Sequence, residues 1–203
     1  MGEGQSVSRQ GCPGRLSIGG PAIPPPDRAA GAAPIIVTAT MGAADQRRFD
    51  GLRAAHYPPE RNQVAAHITL FHQLPPSCLD ELDRLIRTIA ADTPRPMATL
   101  RAPYSLGGGV AFPIHSPDLI AIRERIADHF TGALTAQDSG MPCLHITIQN
   151  KVARAQARRL LADLAHNFEP RPIVIVGLAA HHYRGGPWEE ASTRNFRGLR
   201  TSY

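Results

Sequence analysis

From about residue 34 onward, apolar positions switch repeatedly between a period of two and a period near 3.6, which predicts alternating strands and helices. Ile35 to Thr40 is rich in β-branched residues and reads as a strand. Ala43 to His56 puts Phe49 and Leu52 on one face and reads as a helix, closed by Pro58-Pro59. Val64 to Phe71 is a second strand. Ser77 is a candidate cap for a helix to about Ala91 whose buried face carries Leu79, Leu82, Ile86 and Ile89. Met97 to Leu106 reads as a third strand, and Gly107-Gly108-Gly109 as a tight turn after it.

The same order then returns. Val110 to His115 is a strand, and Ser116-Pro117 is a cap followed by a proline at the first helical position. The helix that follows aligns Leu119, Ile122, Ile126 and Phe130. Cys143 to Gln149 is a strand, Val152 to Phe168 a helix, and Arg171 to Tyr183 a long strand. A Gly185-Gly186-Pro187 turn leads to a last strand near Glu190 to Phe196. Strand–helix–strand–helix–strand therefore occurs twice, and His67-Ile68-Thr69-Leu70 recurs as His145-Ile146-Thr147-Ile148, 78 residues later. A shared order with a shared offset predicts two pseudo-symmetric halves. Residues 1–33 are rich in Gly, Pro and Ser and lack the apolar content to offset their ordering entropy; they are expected to form a disordered tail before a domain spanning 34–203.

Composition narrows the function classes. With 42% hydrophobic and 19% charged residues the chain has an ordinary globular balance. Cys12, Cys78 and Cys143 are few, odd in number and without short spacing, which argues against a disulfide framework or a zinc knuckle and suits a reducing cytoplasm. No apolar run reaches the ~18 residues of a membrane span. The formal charge of +5 favours anionic partners, and 21 of the 22 basic residues are arginine, leaving Lys151 as the lone lysine.

The candidate chemistry lies in the two His-x-Thr segments. Side chains alternate along a strand, so His67 and Thr69 share one face and Ile68 and Leu70 the other, as do His145 and Thr147 against Ile146 and Ile148. The isoleucines anchor each strand in the core, and the polar pair faces a groove if the halves meet about a pseudo-twofold axis. Two imidazoles in one groove suit phosphoryl chemistry: one accepts a proton from water or a hydroxyl, and the other gives one to the leaving oxygen. The threonine hydroxyls can bond the non-bridging phosphate oxygens as charge develops there.

The paired motifs, their separation and the duplicated order resemble the two-histidine phosphoesterases. The contexts Ala66-His67-Ile68-Thr69-Leu70-Phe71 and Leu144-His145-Ile146-Thr147-Ile148-Gln149-Asn150-Lys151 look like the bacterial 2′-5′ RNA ligase family. The resemblance spans about 34–198. It implies an α+β fold of two pseudo-symmetric α/β lobes with antiparallel sheets around a central cleft. It also implies His67 and His145 as catalytic residues and Thr69 and Thr147 as phosphate-binding ones. The implied activity is opening of RNA 2′,3′-cyclic phosphates or formation of 2′-5′ linkages, without ATP, metal or other cofactor. The expected partner is RNA or a small cyclic nucleotide, and the expected state a cytoplasmic monomer. By this resemblance His145 is assigned as the base and His67 as the acid. A phosphoesterase for a small cyclic nucleotide and a non-catalytic RNA-binding protein are the alternatives.

Other residues carry weaker expectations. Lys151 stands just past the second motif, where its ammonium could meet a phosphate; Lys151, Arg154 and Arg158 have the spacing of one helix face. Tyr183 and Trp188 flank a turn and could stack on a base or pack on the neighbouring strand. His72 and the His181-His182 pair lack a carboxylate or cysteine at zinc-ligand spacing, and strand alternation puts His67 and His72 on opposite faces.

Overall fold

The computed structural model describes residues 33–199. The expected tail, apart from Ala33, lies outside the described residues. Strands β1 (Ile35–Met41), β2 (Ile68–Leu74), β3 (Met97–Leu100), β4 (Tyr104–Ser105), β5 (Val110–His115), β6 (His145–Gln149), β7 (Arg171–His182) and β8 (Glu189–Asn195) alternate with helices α1 (Ala43–His56), α2 (Leu79–Asp92), α3 (Pro117–His129) and α4 (Arg154–Ala165). The fold class is α+β, as expected.

All described strand pairings are antiparallel. The path β2-β1-β7-β3-β5 continues into β6, with β4 also on β5 and β8 also on β7. The repeat is visible in this order. β2-β1-β7 in one half corresponds to β6-β5-β3 in the other, and β7 pairs with β3 across the centre from Met97↔Val174 to Leu100↔Arg171. The two halves are thus one continuous sheet. β7 is long enough to pair with β3 through Arg171–Val174 and with β1 from Ile175 onward. The motif strands β2 and β6 are at opposite ends of this path, yet they approach one another, because the sheet curls. α1 packs on β6 of the other half, which pulls the ends together.

Local sequence explains most boundaries. Ser116 caps α3, its hydroxyl accepting from the Leu119 amide at 3.1 Å, with Pro117 at the first helical position. Ser77 does not cap α2; it lies in a 3₁₀ turn, Pro76–Cys78, ahead of the helix. The expected third strand breaks into β3 and β4 around Pro103, which has no amide to give a ladder. The apolar faces of both halves fuse into one core that includes Phe49, Phe71, Ile86, Ile146 and Leu178. Cys78 is a free thiol, but Cys143 is disulfide-bonded, against the expectation for that residue. Among the described residues no helix is long and apolar enough to cross a membrane.

The Gly-rich turn joins β4 to β5 with Gly107 at φ +82°, a region glycine enters at little cost. Gly109 is needed for a different reason. A Cβ there would stand 2.7 Å from Asn150 Cα and overlap the Gln149 carbonyl oxygen, both backbone atoms of the strand bearing the second motif and its exit. Gly109→Ala is expected to destabilise the fold by about 1–3 kcal/mol through forced separation of β5 and β6. Chemical denaturation of the two proteins checks this; equal midpoints would contradict it.

Candidate active site

His67 stands one residue before β2 and His145 opens β6, so each imidazole sits at the mouth of its strand. The isoleucines behind them, Ile68 and Ile146, are fully buried, which fixes the alternation that turns His67, Thr69, His145 and Thr147 toward the opposite side. The two rings are held alike. His67 Nδ1 is 2.8 Å from the carbonyl oxygen of Ala65, and His145 Nδ1 is 2.7 Å from that of Cys143. A carbonyl can only accept, so Nδ1 carries the proton in both rings. Nε2 is left as the titrating atom on the open side. Each bond reaches back two residues, so the pseudo-symmetry of the strands extends to the tautomers.

Arg53 clamps the two motifs. It is 3% exposed on α1, donating from Nη1 to the Thr147 carbonyl at 2.8 Å and from Nη2 to the Val64 carbonyl at 3.2 Å. Its guanidinium lies 4.3 Å from the centre of the Tyr57 ring. One rigid fork therefore ties β6 to the segment that leads into His67.

Burial lowers the proton affinity of both imidazoles. His67 falls to about 4, mainly by burial; the Ala65 bond opposes this, and the charges of Arg53, His145 and His181 add to it. His145 is also lowered, first by burial and further by the charge of His72, against the Cys143 bond. The two motif strands β2 and β6 lie against one another, and the charge of His145 contributes to the lowering at His67. His181 is lowered by burial too, and its Nε2 lies 3.1 Å from Thr38 Oγ1.

Aromatic rings flank each histidine differently. Trp188, in the turn before β8, lies 4.4 Å from the His67 ring centre and 5.4 Å from that of His181. It thus packs on the motif histidine across the strands, a contact that spacing along the chain does not reveal. The edge of Tyr104 meets His145, with ring centres 6.1 Å apart.

Two sequence expectations are revised. Lys151 is exposed in a left-handed turn (φ 61°) past the end of β6 and outside α4, so it does not share a helix face with Arg154 and Arg158. His72, by contrast, is on the His67 side. β2 carries two register shifts against β1, one between Thr69 and Phe71 and one between Phe71 and Leu74, so simple alternation does not run through it; Leu70, Phe71 and Leu74 are buried, while Thr69 and His72 are only half-buried, on the side away from the core. Arg53 and Tyr104 were not predicted, and His181 was weighed only as a metal ligand; an arginine on the apolar side of an amphipathic helix was the one available signal, for Arg53. Among the described residues no group of three or more His, Cys, Asp or Glu side chains is arranged to hold a metal.

Because the indole covers the His67 ring, Trp188→Ala is expected to raise the His67 pKa from about 4 toward the ordinary ~6.5. In the wild type the folded value lies below the unfolded one, so the unfolded chain binds the proton first as pH falls. His67 therefore contributes stability present above pH ~6.5 and lost as pH drops toward 4, on the order of 3 kcal/mol at most. Imidazole NMR titration reads the first effect and denaturation at pH 4–7 the second; an unmoved His67 titration would refute the covering role of Trp188.

Comparison with known proteins agrees with this architecture. The family model of the 2′-5′ RNA ligase superfamily matches residues 42–187, which include both motifs. The fold resembles TT0787 of Thermus thermophilus, at TM-score 0.56 and 12% identity over 82% of this chain and 100% of that one. It also resembles E. coli LigT complexed with NADP+, at TM-score 0.53 and 17% identity over 81% and 98%. E. coli LigT complexed with 3′-AMP aligns at TM-score 0.51 and 15% identity over 81% and 98%. A sequence search of curated proteins finds no match. With two His-x-Thr strands at the ends of one curled antiparallel sheet and a family match across most of the domain, the chain belongs to the 2′-5′ RNA ligase superfamily.

Proposed function

We propose that this protein acts on RNA 2′,3′-cyclic phosphate ends or 2′-5′ linkages by two-histidine acid/base catalysis, with His67 and His145 as the catalytic residues and Thr69 and Thr147 as phosphate ligands. The observation that carries the reading is the matched pair of Nδ1–carbonyl bonds. They leave two Nε2 atoms free, on the side to which both threonines also turn. In ring opening, one Nε2 takes a proton from the attacking water. The other delivers a proton to the ribose oxygen as its bond to phosphorus breaks. Ligation is the same exchange with a ribose hydroxyl as nucleophile. The hydroxyls of Thr69 and Thr147 donate to the non-bridging oxygens and stabilise the charge that grows there.

The depressed proton affinity of His67 bears on the division of labour. An imidazole held neutral at pH 7 is ready to accept a proton, and His67 is the more strongly depressed of the two. This favours His67 as base and His145 as acid, the reverse of the assignment read from the resemblance. A second substrate reading, a small cyclic nucleotide, is favoured by the 3′-AMP complex of the similar LigT fold. Non-catalytic RNA binding gives no reason for two tautomer-fixed histidines.

An RNA oligonucleotide ending in a 2′,3′-cyclic phosphate, assayed in EDTA, is expected to be opened by the wild type. His67→Ala and His145→Ala should each lower kcat by ~100-fold or more. Folded but inert wild type would remove RNA ends from the substrate class, and activity surviving either substitution would remove the mechanism. The roles separate on a nucleoside 3′-(p-nitrophenyl phosphate), whose leaving group needs no proton. His145→Ala should retain activity there and His67→Ala should not; the opposite pattern restores His145 as base.

A further inference from the structure

His72 is built into the cleft by features the two motifs do not require. Two register shifts along β2 leave Leu70, Phe71 and Leu74 in the core and His72, like Thr69, half-buried on the side away from it. Asp138, 1% exposed, then fixes His72 from the segment between α3 and β6. One Asp138 oxygen accepts from the His72 amide at 2.9 Å and from His72 Nδ1 at 3.1 Å, and the other accepts from the Gln73 amide at 2.9 Å. Asp138 is itself secured, its amide donating to Thr135 Oγ1 and its carbonyl accepting from the buried Arg123 Nη2. Burial pushes the Asp138 carboxyl up, but the His72 ring and the two amides outweigh it and hold it below the ordinary range. The carboxylate thus stays ionised and keeps Nδ1 as donor.

His72 Nε2 therefore points away from its anchor, on a side chain still 41% exposed. The strand that carries it lies against β6, the strand of His145; the charge of His72 also adds to the lowering at His145. The His67 end carries Trp188 and His181. The cleft is pseudo-symmetric in backbone and asymmetric in chemistry. The position 78 residues after His72 is Asn150, so the second half has no equivalent imidazole.

Resting on the nucleotide-cleft reading above, we infer that His72, oriented by Asp138, is a binding residue for a second phosphate of the substrate, beside the phosphate held between His67 and His145. With both ring nitrogens protonated, His72 donates through Nδ1 to Asp138 and through Nε2 to a phosphate oxygen, a charge-assisted hydrogen bond. The second phosphate is either a 5′-phosphate on the same nucleoside or the upstream diester of an RNA chain.

Calorimetric titration distinguishes these cases without turnover. The probes are adenosine 3′-monophosphate, adenosine 3′,5′-bisphosphate and the dinucleotide ApAp, against wild type and His72→Gln. At least one two-phosphate probe is expected to bind wild type about tenfold more tightly than the monophosphate, the strength of one charge-assisted hydrogen bond. Whichever probe gains identifies the source of the phosphate. The ratio should fall to about one in His72→Gln. A structural role would weaken all probes together and leave the ratio intact, which overturns the inference. Monophosphate binding with no gain from a second phosphate also overturns it, while sparing the nucleotide cleft. Absence of binding by every probe removes both.

Discussion

The pairing of β7 with β1 along one part of its length and with β3 along the other is the contact on which the cleft depends. It joins the two copies of the repeat into one sheet and sets their relation about a local twofold. Each motif strand is then two ladder steps from the centre, β2 through β1 and β6 through β5. Strand twist accumulates across those steps and brings the ends together. Arg53 closes the arrangement with hydrogen bonds to both sides, and its burial makes loss of either acceptor costly.

That geometry explains why the histidines have unusual properties. A ring at the mouth of a strand with its following isoleucine locked in the core has little freedom to turn toward bulk water. A carbonyl two residues upstream is then the nearest partner for Nδ1. The bond fixes the tautomer while burial disfavours the cation, so a neutral Nε2 is presented to the cleft. Trp188 strengthens this at His67, and His72 strengthens it at His145 through charge. Both ends reach a similar state mainly through burial, with different neighbours adding to it at each end.

Some of this was legible along the chain. The helix 43–56 and the strand 110–115 match their predicted bounds, because each has an unbroken periodicity and a clear stop. Ser116-Pro117 was readable because a cap acts through residues next to it. Ser77 was misread, since two prolines ahead of it favour a 3₁₀ turn that moves the helix start to Leu79. His72 was misread because alternation counts residues, and β2 is irregular at two points where its pairing with β1 shifts register.

The sequence by itself determined the duplicated order of elements, the two His-x-Thr segments and the face each presents, because periodicity and tetrapeptide identity are local properties. Only the tertiary structure decided that the motif strands meet, and that Arg53 spans from helix to both of them. The same holds for Trp188 covering one histidine, and for Asp138 holding a further histidine on the motif side. Those relations join residues that are far apart in the chain: 94 positions for Arg53 and Thr147, and 66 for His72 and Asp138. They follow from how the sheet curls and where a strand bulges, and neither is encoded in the spacing of one segment.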